Sequence, residues 1–324
     1  MTLPGPEIAS GSASRILPIS IIIPTYQRER VLVDTIGHLL DLEPAAPEIL
    51  VVDQTAEHEP DTQRALAELV SADKIRWIRL SDPSITHAMN VGLEQAGNDV
   101  VLFIDDDIIP GGDLISAHAS AHVIQGCNIV AGQVLQPGEE PVSEEAAGAP
   151  FRFCSSRPGY ISELMGGNFS IKRNVALGLG GFDENFVQVA YRFEAEFAAR
   201  ALAAGEKIWF EPEASIRHLK SAGGGTRSYG DHLKTIRPSH SVGAYYYLLR
   251  SKETPNRLLK VLARPIRAVR TKHHLSHPWW ILPTLLAEAA GFFWAVALVL
   301  RGPRLLGGKS KGPSAKSKEL SAKS

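Results

Sequence analysis

Apolar residues in the first 136 positions follow two alternating patterns. Short runs rich in β-branched residues are typical of buried strands. The predicted strands are 19–23, 48–52, 75–80 and 100–104. The stretches between them have apolar residues at helical spacing. The predicted helices are 31–40, 65–70 and 86–96. Because strands separated by helices of this length form βαβ units, the pattern predicts an α/β fold with a mainly parallel central sheet.

The second half continues this pattern after a long interruption. Residues 137–160 are rich in Pro, Gly, Glu and Ser without periodicity, which predicts a loop. A strand at 166–171, a helix at 191–204 and a strand at 207–210 follow. Residues 221–240 are Gly-rich and polar and too long for a simple connection, so we predict a mobile lid there.

The last eighty residues have a different character. Residues 256–272 carry six basic and no acidic residues beside regularly spaced apolar ones, which is typical of a cationic amphipathic surface helix. Residues 281–300 contain one charge, Glu288, and as a helix would be about 30 Å long, the thickness of a bilayer core. Both flanks are basic, so charge does not set an orientation. We predict membrane association, either spanning or lying in the interface, with a buried soluble helix as the alternative.

Composition limits the classes of function. The chain has 324 residues, 44% hydrophobic and 21% charged, which is typical of a globular protein. Its 34 basic and 35 acidic residues provide no positive field for nucleic acid. Cys127 and Cys154 have no metal-site spacing, which indicates a reducing compartment without disulfides or zinc. Residues 1–18 lack the apolar segment of a signal peptide and predict a flexible leader.

Three consecutive aspartates, Asp105, Asp106 and Asp107, follow the apolar strand VVLFI. Ligands of open α/β sheets bind beyond the carboxyl ends of the strands. Adjacent carboxylates repel one another, so a fold tolerates them when a cation or hydrogen-bond donors compensate their charge. Mg²⁺ or Mn²⁺ with a phosphorylated substrate would do so. The alternative is that these acids cap the helix near 113–122 and face water.

Four further residues are candidates, each with a structural alternative. Asp53 closes the second strand and can accept a hydrogen bond from a base or ribose, or form a turn. Glu194 and Glu196 lie two apart on one predicted helix, so they cannot both face one small site. Near the helix start they also interact favourably with the helix dipole. His218 can bind metal or phosphate, although a lone histidine is more often structural.

The chain lacks the common nucleotide-binding and hydrolase motifs but contains an ordered series of others. No GxGxxG follows the first strand, and neither a Walker loop nor a GxSxG elbow occurs. The motifs present are ISIIIPTYQR, EILVVDQT, NVGLEQAGNDVVLFIDDD, GGNFSIKR, GGFDENF, FEAEFAARALAAG and IWFEPEASIRH. In order and spacing, over residues 19–220, they resemble the inverting glycosyltransferases of family 2, which have the GT-A nucleotide-diphospho-sugar transferase fold.

The resemblance implies a donor site. Pro24, Thr25, Tyr26 and Asp53 are expected to form the pocket for the nucleotide base. Further donor contacts are expected from Asn90, Asp105 and Asp106. Met89 stands where many members of the family have an arginine, which removes a cation from this site.

The resemblance also implies a metal site. Asp105 and Asp107 match the outer acids of the DXD motif, with Asp107 as a direct metal ligand and Asp105 nearer the ribose or a metal-bound water. His218 matches a histidine that approaches the diphosphate or metal. The expected ligands of Mg²⁺ or Mn²⁺ are therefore Asp107, Asp105 and His218.

The catalytic base follows from the motif FEAEFAAR. When Arg200 is matched to the family arginine, Glu194 falls on the acid that serves as catalytic base and Glu196 on a second acid. Phe193 replaces the usual first Glu. A glutamate base replaces the commoner aspartate, which lengthens the reach by one methylene.

The function implied is inverting transfer of a sugar from a nucleotide-diphospho-sugar to an acceptor hydroxyl. The donor is expected to be a UDP-sugar, or else a dTDP- or GDP-sugar. The acceptor is expected to be a glycan or a lipid-linked molecule of polysaccharide or cell-envelope synthesis, at the cytoplasmic face of a membrane. For the location, the alternative is the cytoplasm. For the function, the alternatives are a sugar nucleotidyltransferase and a non-catalytic GT-A-like binding or scaffold protein.

The expected organisation has four parts. A flexible leader at 1–18 precedes a GT-A domain at 19–245, which is followed by a helical region at 246–302 and a basic disordered tail at 303–324. The domain divides into a nucleotide-sugar-binding half, an acceptor and catalytic half and a mobile loop. These three parts are 19–136, 137–220 and 221–240.

Overall fold

The computed structural model describes residues 17–143, 150–251 and 255–307. All but two residues of the predicted leader, and the basic tail beyond residue 307, lie outside these ranges. Within them, nine strands form one sheet. They are β1 (Ile19–Thr25), β2 (Glu48–Asp53), β3 (Arg76–Arg79), β4 (Val100–Ile104), β5 (Ile108–Pro110), β6 (Ile129–Leu135), β7 (Gly159–Ile161), β8 (Asn168–Lys172) and β9 (Ile208–His218).

The sheet is mixed, with a parallel half and an antiparallel insertion. Its order is β3-β2-β1-β4-β8-β6-β9-β5, and β7 also pairs with β9. The first four strands in this order are parallel to one another, as predicted. β8 lies antiparallel between β4 and β6, which places the GGNFS segment directly beside the end of β4.

Ten helices among the described residues cover the sheet and extend the domain. They are α1 (Arg30–Leu40), α2 (Pro60–Ser71), α3 (Ile85–Gln95), α4 (Leu114–Ile124), α5 (Arg173–Gly178), α6 (Phe193–Ala203), α7 (Val242–Arg250), α8 (Arg257–Val269), α9 (Lys272–Ser276) and α10 (Ile281–Arg301). The helix predicted at 65–70 begins earlier, because Pro60 occupies the first turn, where its missing N–H costs nothing.

β1 shows how two cores form on the two faces of the sheet. Ile21 and Ile23 pack in one core beneath α1, whereas Ile22 packs in the other with Leu93 of α3. α3 approaches closely at Gly92, where a Cβ atom would overlap with the Ile22 side chain. Burial on both faces is typical of a parallel sheet covered by helices.

β9 is longer than the strand predicted at 207–210. Its pairing with β6 jumps from Glu211 to Ser215, so three residues bulge out of the ladder and the strand continues to His218. The proline at position 212 lies in this bulge, where no ladder hydrogen bond is lost. The bulge is what delivers His218 to the end of β4.

The C-terminal helices pack directly on the sheet domain. The boundary expected at residue 245 falls inside α7, where Tyr245 and Tyr246 are buried. α10 crosses α7 closely at Gly291, whose added Cβ would overlap with the Ser241 side chain. After α10, the Leu306 N–H donates to the Gly180 carbonyl at 2.7 Å. The chain therefore contacts the domain at the middle of α10 and again after its C-terminal end.

One segment among the described residues, Pro278–Arg301, is helical, long and apolar enough to cross a membrane by length and composition, and a third of its most apolar window is buried. α8 is the predicted amphipathic surface helix, since none of its residues is buried.

Candidate active site

A cavity of about 660 Å³ opens at the carboxyl ends of β1 and β4. Most of the residues selected from the sequence line it. They are Pro24, Thr25, Tyr26, Asp105, Asp106, Asp107, Glu194 and His218. This is the edge at which an α/β sheet is expected to bind its ligand.

The middle acid of the triplet, Asp106, faces inward. It accepts hydrogen bonds from Thr25 Oγ1 at 2.7 Å and from Arg28 Nε at 3.0 Å, and it is 6% exposed. Burial raises the pKa of Asp106 to about 7, against the opposing charge of Arg28. Asp106 is therefore tied to β1 and the loop that follows it.

Arg28 was not among the residues selected from the sequence. Its guanidinium also donates to Asp107 Oδ2 at 3.2 Å and to the carbonyls of Ser221 and Gly223. Part of the charge compensation that the triplet needs is therefore supplied by the protein itself. A basic residue four positions after the β1 proline was the available signal, because both β1 and β4 end at this edge.

Asp105, Asp107 and His218 form a cluster that could hold a metal ion, since their ligand atoms lie within 4.8 Å of one another. His218 Nε2 lies 3.0 Å from Asp107 Oδ1 and 3.8 Å from Asp105 Oδ2. Two carboxylates and an imidazole fit a divalent ion such as Mn²⁺ or Mg²⁺. Asp105 is also half-exposed toward the cavity, which leaves room for a substrate oxygen.

Opposite charges within this cluster shift the pKa values of Asp107 and His218 toward their ionised forms. Burial opposes ionisation of Asp107, but hydrogen bonding to His218 and the charge of Arg28 hold the pKa of Asp107 below its usual value. Burial likewise opposes protonation of His218, and the two carboxylates raise the pKa of this imidazole nevertheless. Burial raises the pKa of Asp105. A divalent ion at this position would compete with a proton for the His218 imidazole.

Glu194 and Asp105 flank a pair of glycines that precede β8. A Cβ on Gly167 would overlap with the Asp105 carboxylate, and a Cβ on Gly166 would lie 3.3 Å from Glu194 Oε1. The absence of side chains here lets both acids reach the cavity. Burial raises the pKa of Glu194 to about 7, and the negative charge of Asp105 acts in the same direction.

Glu196 points elsewhere, as the helical spacing predicts. It is buried and accepts two hydrogen bonds from Arg200, at 3.0 and 2.8 Å. Phe193, which stands in place of an acid, is 5% exposed and packs in the core. Only Glu194 among these three residues has a carboxylate in the cavity.

Asp53 was expected at the base pocket but does not line the cavity. Its carboxylate is fully buried and accepts hydrogen bonds from the Thr55 N–H at 2.8 Å, Trp77 Nε1 at 2.9 Å and His58 Nε2 at 2.7 Å. Both oxygens are therefore used within the protein. The next residue, Gln54, lines the cavity instead.

Asn90 was expected to contact the donor and also does not line the cavity. Its amide donates to the Phe182 carbonyl at 2.9 Å and accepts from the Phe182 N–H at 2.7 Å, and it is 1% exposed. Asn90 thus joins α3 to the GGFDENF turn. Met89 beside it is 1% exposed and packs in the apolar core.

The segment predicted as a lid lies over the part of the cavity that Tyr26 lines. The Gly225 N–H donates to the Tyr26 carbonyl at 2.6 Å, and the rings of Tyr26 and Tyr229 are 6.5 Å apart. The Ser221 N–H donates to Asp107 Oδ2 at 2.8 Å. This segment is therefore anchored both to β1 and to the acid triplet, while its mobility stays a prediction.

Two solved structures share the fold. The chain of a crystal structure of GalNAc-T7 with UDP, GalNAc and Mn²⁺ aligns with a TM-score of 0.58 and 12% identity, over 81% of this chain and 55% of that one. Mannosyltransferase PcManGT from Pyrobaculum calidifontis, in complex with GDP-Man and Mn²⁺, aligns with a TM-score of 0.52 and 17% identity, over 88% and 79%. This chain thus spans about half the length of GalNAc-T7. No curated protein matches it.

A family model provides the assignment. The model described as glycosyl transferase family 2 matches residues 20–193, which is more than half of the chain. The match runs from β1 to the start of α6 and so includes the triplet and both glycines. This chain belongs to glycosyltransferase family 2 and has the GT-A fold.

Proposed function

We propose that this glycosyltransferase moves a sugar from a nucleotide-diphospho-sugar to an acceptor hydroxyl with inversion at the anomeric carbon. One observation carries the proposal. Glu194 and the cluster of Asp105, Asp107 and His218 face one cavity from opposite sides of the Gly166–Gly167 pair. A base and a diphosphate-binding site so placed suit a single displacement between them.

The donor site that we propose uses the nucleotide side of the cavity. Pro24, Thr25, Tyr26 and Gln54 line it, and the Tyr26 and Tyr229 rings offer flat surfaces to a base. A UDP-sugar is our first candidate, with dTDP- and GDP-sugars as alternatives. The titles of the two similar structures name UDP and GDP-Man, which supports the class of donor but not the nucleotide.

Asp107, Asp105 and His218 are the proposed ligands of Mn²⁺ or Mg²⁺. When bound, such an ion would offset negative charge on the departing diphosphate as a Lewis acid. Arg227 of the lid segment lines the same cavity and adds a positive charge that is available to the diphosphate. Arg28, in contrast, is already committed to Asp106 and Asp107 and holds the triplet in place.

Glu194 is the proposed general base. It would accept the proton of the acceptor hydroxyl as the hydroxyl oxygen bonds to the anomeric carbon and the nucleoside diphosphate leaves. Its pKa of about 7 is higher than that of an ordinary carboxyl, so the ionised form is a stronger base near neutral pH. General-base assistance of this kind contributes roughly 10²–10⁴-fold to rate.

The acceptor that we propose is presented at a membrane surface, as a glycan or a lipid-linked molecule of polysaccharide or cell-envelope synthesis. α8 exposes four apolar side chains beside its basic ones. They are Leu258, Leu259, Leu262 and Ile266. This is the composition of a helix that lies in a bilayer interface. We place the protein on the cytoplasmic face as a peripheral protein.

Contacts along α10 favour the interface over a spanning position. The Ala287 carbonyl accepts a hydrogen bond from Ser241 Oγ at 3.0 Å, and Leu298 packs in the core of the sheet domain. These two residues of α10 are separated by about 17 Å along the helix axis. A helix that crossed the bilayer could not keep contacts with this domain over such a length.

A thermal-shift screen of nucleotide-sugars with and without Mn²⁺ tests the proposal. A donor that binds the native state raises the midpoint of unfolding, and the shift is expected to require the ion. Products distinguish the alternatives. Release of a nucleoside diphosphate supports a transferase, and release or consumption of pyrophosphate supports a nucleotidyltransferase. If neither product forms, the result supports a non-catalytic scaffold. No Mn²⁺-dependent shift with any nucleotide-sugar would overturn the proposed donor site.

A further inference from the structure

A second cavity, of about 940 Å³, lies beside the donor cavity. The two cavities share four residues at their junction. These are Tyr191, Arg192, Ala199 and Tyr247. The second cavity is lined by residues of α6, α7, α8 and α10 and by residues between 232 and 241. A molecule held there would lie next to the catalytic cavity.

The walls of this second cavity are positively charged. Arg192, Arg237, Lys260, Arg264 and Arg267 line it, with Glu288 as the one carboxylate from the described residues. Arg264 Nε lies 3.1 Å from Glu288 Oε2, so these two charges compensate each other. The other four cations form no ion pair with any described residue. Among the described residues, positive charge at the cavity therefore exceeds negative charge, which suits an anionic ligand.

The same cavity has an apolar part. Leu233, Ala244, Leu248, Ala268 and Ala287 contribute to its lining. An anionic ligand without apolar groups would leave this surface in contact with water. The combination of cationic and apolar walls suits an amphiphilic ligand with an anionic head.

The orientation of α8 connects the cavity to the membrane surface. Lys260, Arg264 and Arg267 are spaced by four and three residues and turn one face of α8 to the cavity. Leu258 and Leu262, on the other side, are 68% and 73% exposed. If the apolar face lies in a bilayer interface, the cavity is one helix diameter, about 10 Å, from the lipid chains.

We propose that this cavity binds the phosphate or diphosphate head and the first chain segment of a lipid-linked acceptor. The proposal rests on the function proposed above and deepens it, because it names the acceptor class and its site. Lys260, Arg267, Arg237 and Arg192 hold the anionic head, and the chain leaves toward α8. Arg192 lies at the junction and orients the head toward Glu194.

Two double variants of α8 test this assignment with the full-length protein. K260Q/R267Q removes two charges that line the cavity. R257Q/R270Q removes the same number from the same helix at positions outside the lining. None of the four side chains is buried or ion-paired within the described residues, so both variants are expected to fold, and their melting temperatures check this.

Binding of farnesyl phosphate is measured by titration calorimetry in a neutral detergent, with farnesol and inorganic phosphate as comparison ligands. We expect farnesyl phosphate to bind more tightly than either. K260Q/R267Q should weaken it by about tenfold or more, since charge-assisted hydrogen bonds are lost. R257Q/R270Q should change it by about twofold at most.

Other outcomes overturn the assignment. Equal weakening in the two variants would indicate only a diffuse charge effect. Equally tight binding of inorganic phosphate would indicate a free-anion site, and equally tight binding of farnesol would indicate a purely apolar one. The Mn²⁺-dependent shift with a nucleotide-sugar is measured on the same samples. If that shift is present and farnesyl phosphate does not bind, the acceptor assignment fails while the proposed donor function stands.

Discussion

Three adjacent aspartates at the end of β4 acquire different properties from their partners. Burial raises the pKa of Asp106 to about 7, whereas contacts with His218 and Arg28 lower the pKa of Asp107. Asp105 has the most exposed side chain of the three. Identical residues therefore divide into one that anchors β4 to β1 and two that face the cavity. Environment at the scale of a few ångströms, not residue type, makes this division.

Arg28 is the residue on which this division depends. The substitution Arg28→Ala leaves Asp106 and Asp107 buried without their cation, and we expect it to lower the free energy of unfolding by about 3–5 kcal/mol. Loss of the cation raises the folded-state pKa of Asp106 further above its unfolded value. A carboxyl with a raised folded-state pKa lowers the free energy of unfolding as pH rises toward that pKa. The cost of Arg28→Ala should therefore be greater at pH 8 than at pH 6.

Urea unfolding at these two pH values measures both effects. The matched control is Arg30→Ala, two residues along, where the guanidinium is exposed and pairs with Asp34 at 2.7 Å. We expect that control to cost less than about 1 kcal/mol at either pH. Equal costs for the two variants would show that Arg28 does not compensate the triplet.

Glu194 and Glu196 allow the proposed base to be separated from the structural effect of an acid on α6. Glu194→Gln should keep Mn²⁺-dependent donor binding, because this carboxyl is not part of the proposed metal cluster and interacts with Asp105 only by repulsion of like charge. We expect its turnover to fall by about 10²–10⁴-fold, since no base accepts the hydroxyl proton. Turnover is measured as release of nucleoside diphosphate in the presence of an acceptor.

Glu196→Gln serves as the control, with the same change of atoms two residues away. It weakens a largely buried ion pair with Arg200, so we expect a loss of stability but nearly unchanged turnover. Unchanged turnover in Glu194→Gln would remove its assignment as base. Equal losses of turnover in both variants would indicate that the carboxylates act on the position of α6.

At the scale of whole elements, α4 packs on β8 through a buried polar cluster. His118 Nδ1 and His122 Nε2 each lie 2.8 Å from Ser170 Oγ, and His122 Nδ1 lies 3.0 Å from the Cys127 carbonyl. Burial lowers the pKa of His118 to about 3 and that of His122 to about 4. Both imidazoles are therefore neutral in the folded protein, although each binds a proton near pH 6.5 when unfolded.

This difference predicts a loss of stability as pH falls below 6.5. Each histidine should cost about 2 kcal/mol by pH 5, because the unfolded chain binds a proton that the folded protein does not. Asp106 and Glu194, with a pKa of about 7, act in the opposite direction. The measurement is therefore a difference between the wild type and His122→Gln.

We expect His122→Gln to be less stable than the wild type at pH 7.5, since its hydrogen bonds are disturbed. The gap should shrink by about 2 kcal/mol between pH 7.5 and pH 5, because one buried titrating group is gone. Urea unfolding over this range measures the gap. Parallel stability curves for the two proteins would contradict a depressed pKa at His122.

Hydrophobic periodicity predicted well those strands whose residues are all apolar because both faces are buried. The runs ending in Pro24 and Asp105 are buried on both faces, and their strands lie where they were predicted. The length of β9 was underestimated because a proline such as Pro212 usually ends a strand. Only the pairing of β9 with β6 shows that a bulge accommodates this proline. β5 was missed because three residues are too few for a pattern.

The sequence predicted which kinds of residue gather at the site better than it predicted the contacts of each residue. Asp105, Asp107, His218 and Glu194 come together because strand and helix ends meet at one edge of the sheet. Asp53 and Asn90 have the same polar character, but tertiary partners occupy them, and no local pattern reveals those partners. Arg28 was missed for the converse reason, since its contacts are to residues about eighty and two hundred positions away.

At the scale of the whole molecule, the C-terminal helices hold a fixed place relative to the donor cavity. α10 packs on α7 and α8, and the segment after it returns to the GGFDENF turn, where Arg304 N–H donates to Asp183 Oδ1 at 2.9 Å. Asp183 also accepts from Tyr246 of α7 at 2.7 Å. These contacts fix the position of α8 relative to the proposed catalytic residues, which suits the surface-bound acceptor proposed above.

This arrangement predicts that the protein binds anionic membranes through α8. Leu259 and Leu262 are 65% and 73% exposed, so glutamates at these positions disturb no core. We expect L259E/L262E to abolish co-sedimentation with vesicles that contain anionic phospholipid, because apolar contact is lost and like charge repels the surface. The melting temperature and the Mn²⁺-dependent shift with a nucleotide-sugar should stay as in the wild type.

The matched control adds the same two charges on α2, as A67E/V70E, at positions that are also exposed. It should sediment with vesicles like the wild type, and wild-type binding should weaken at high salt because the basic residues of α8 contribute through screened charges. If both variants lose binding equally, net charge alone accounts for it. If L259E/L262E still sediments, another surface holds the membrane, and α10, whose Leu286 and Phe293 are 50% and 70% exposed, is the element to alter next.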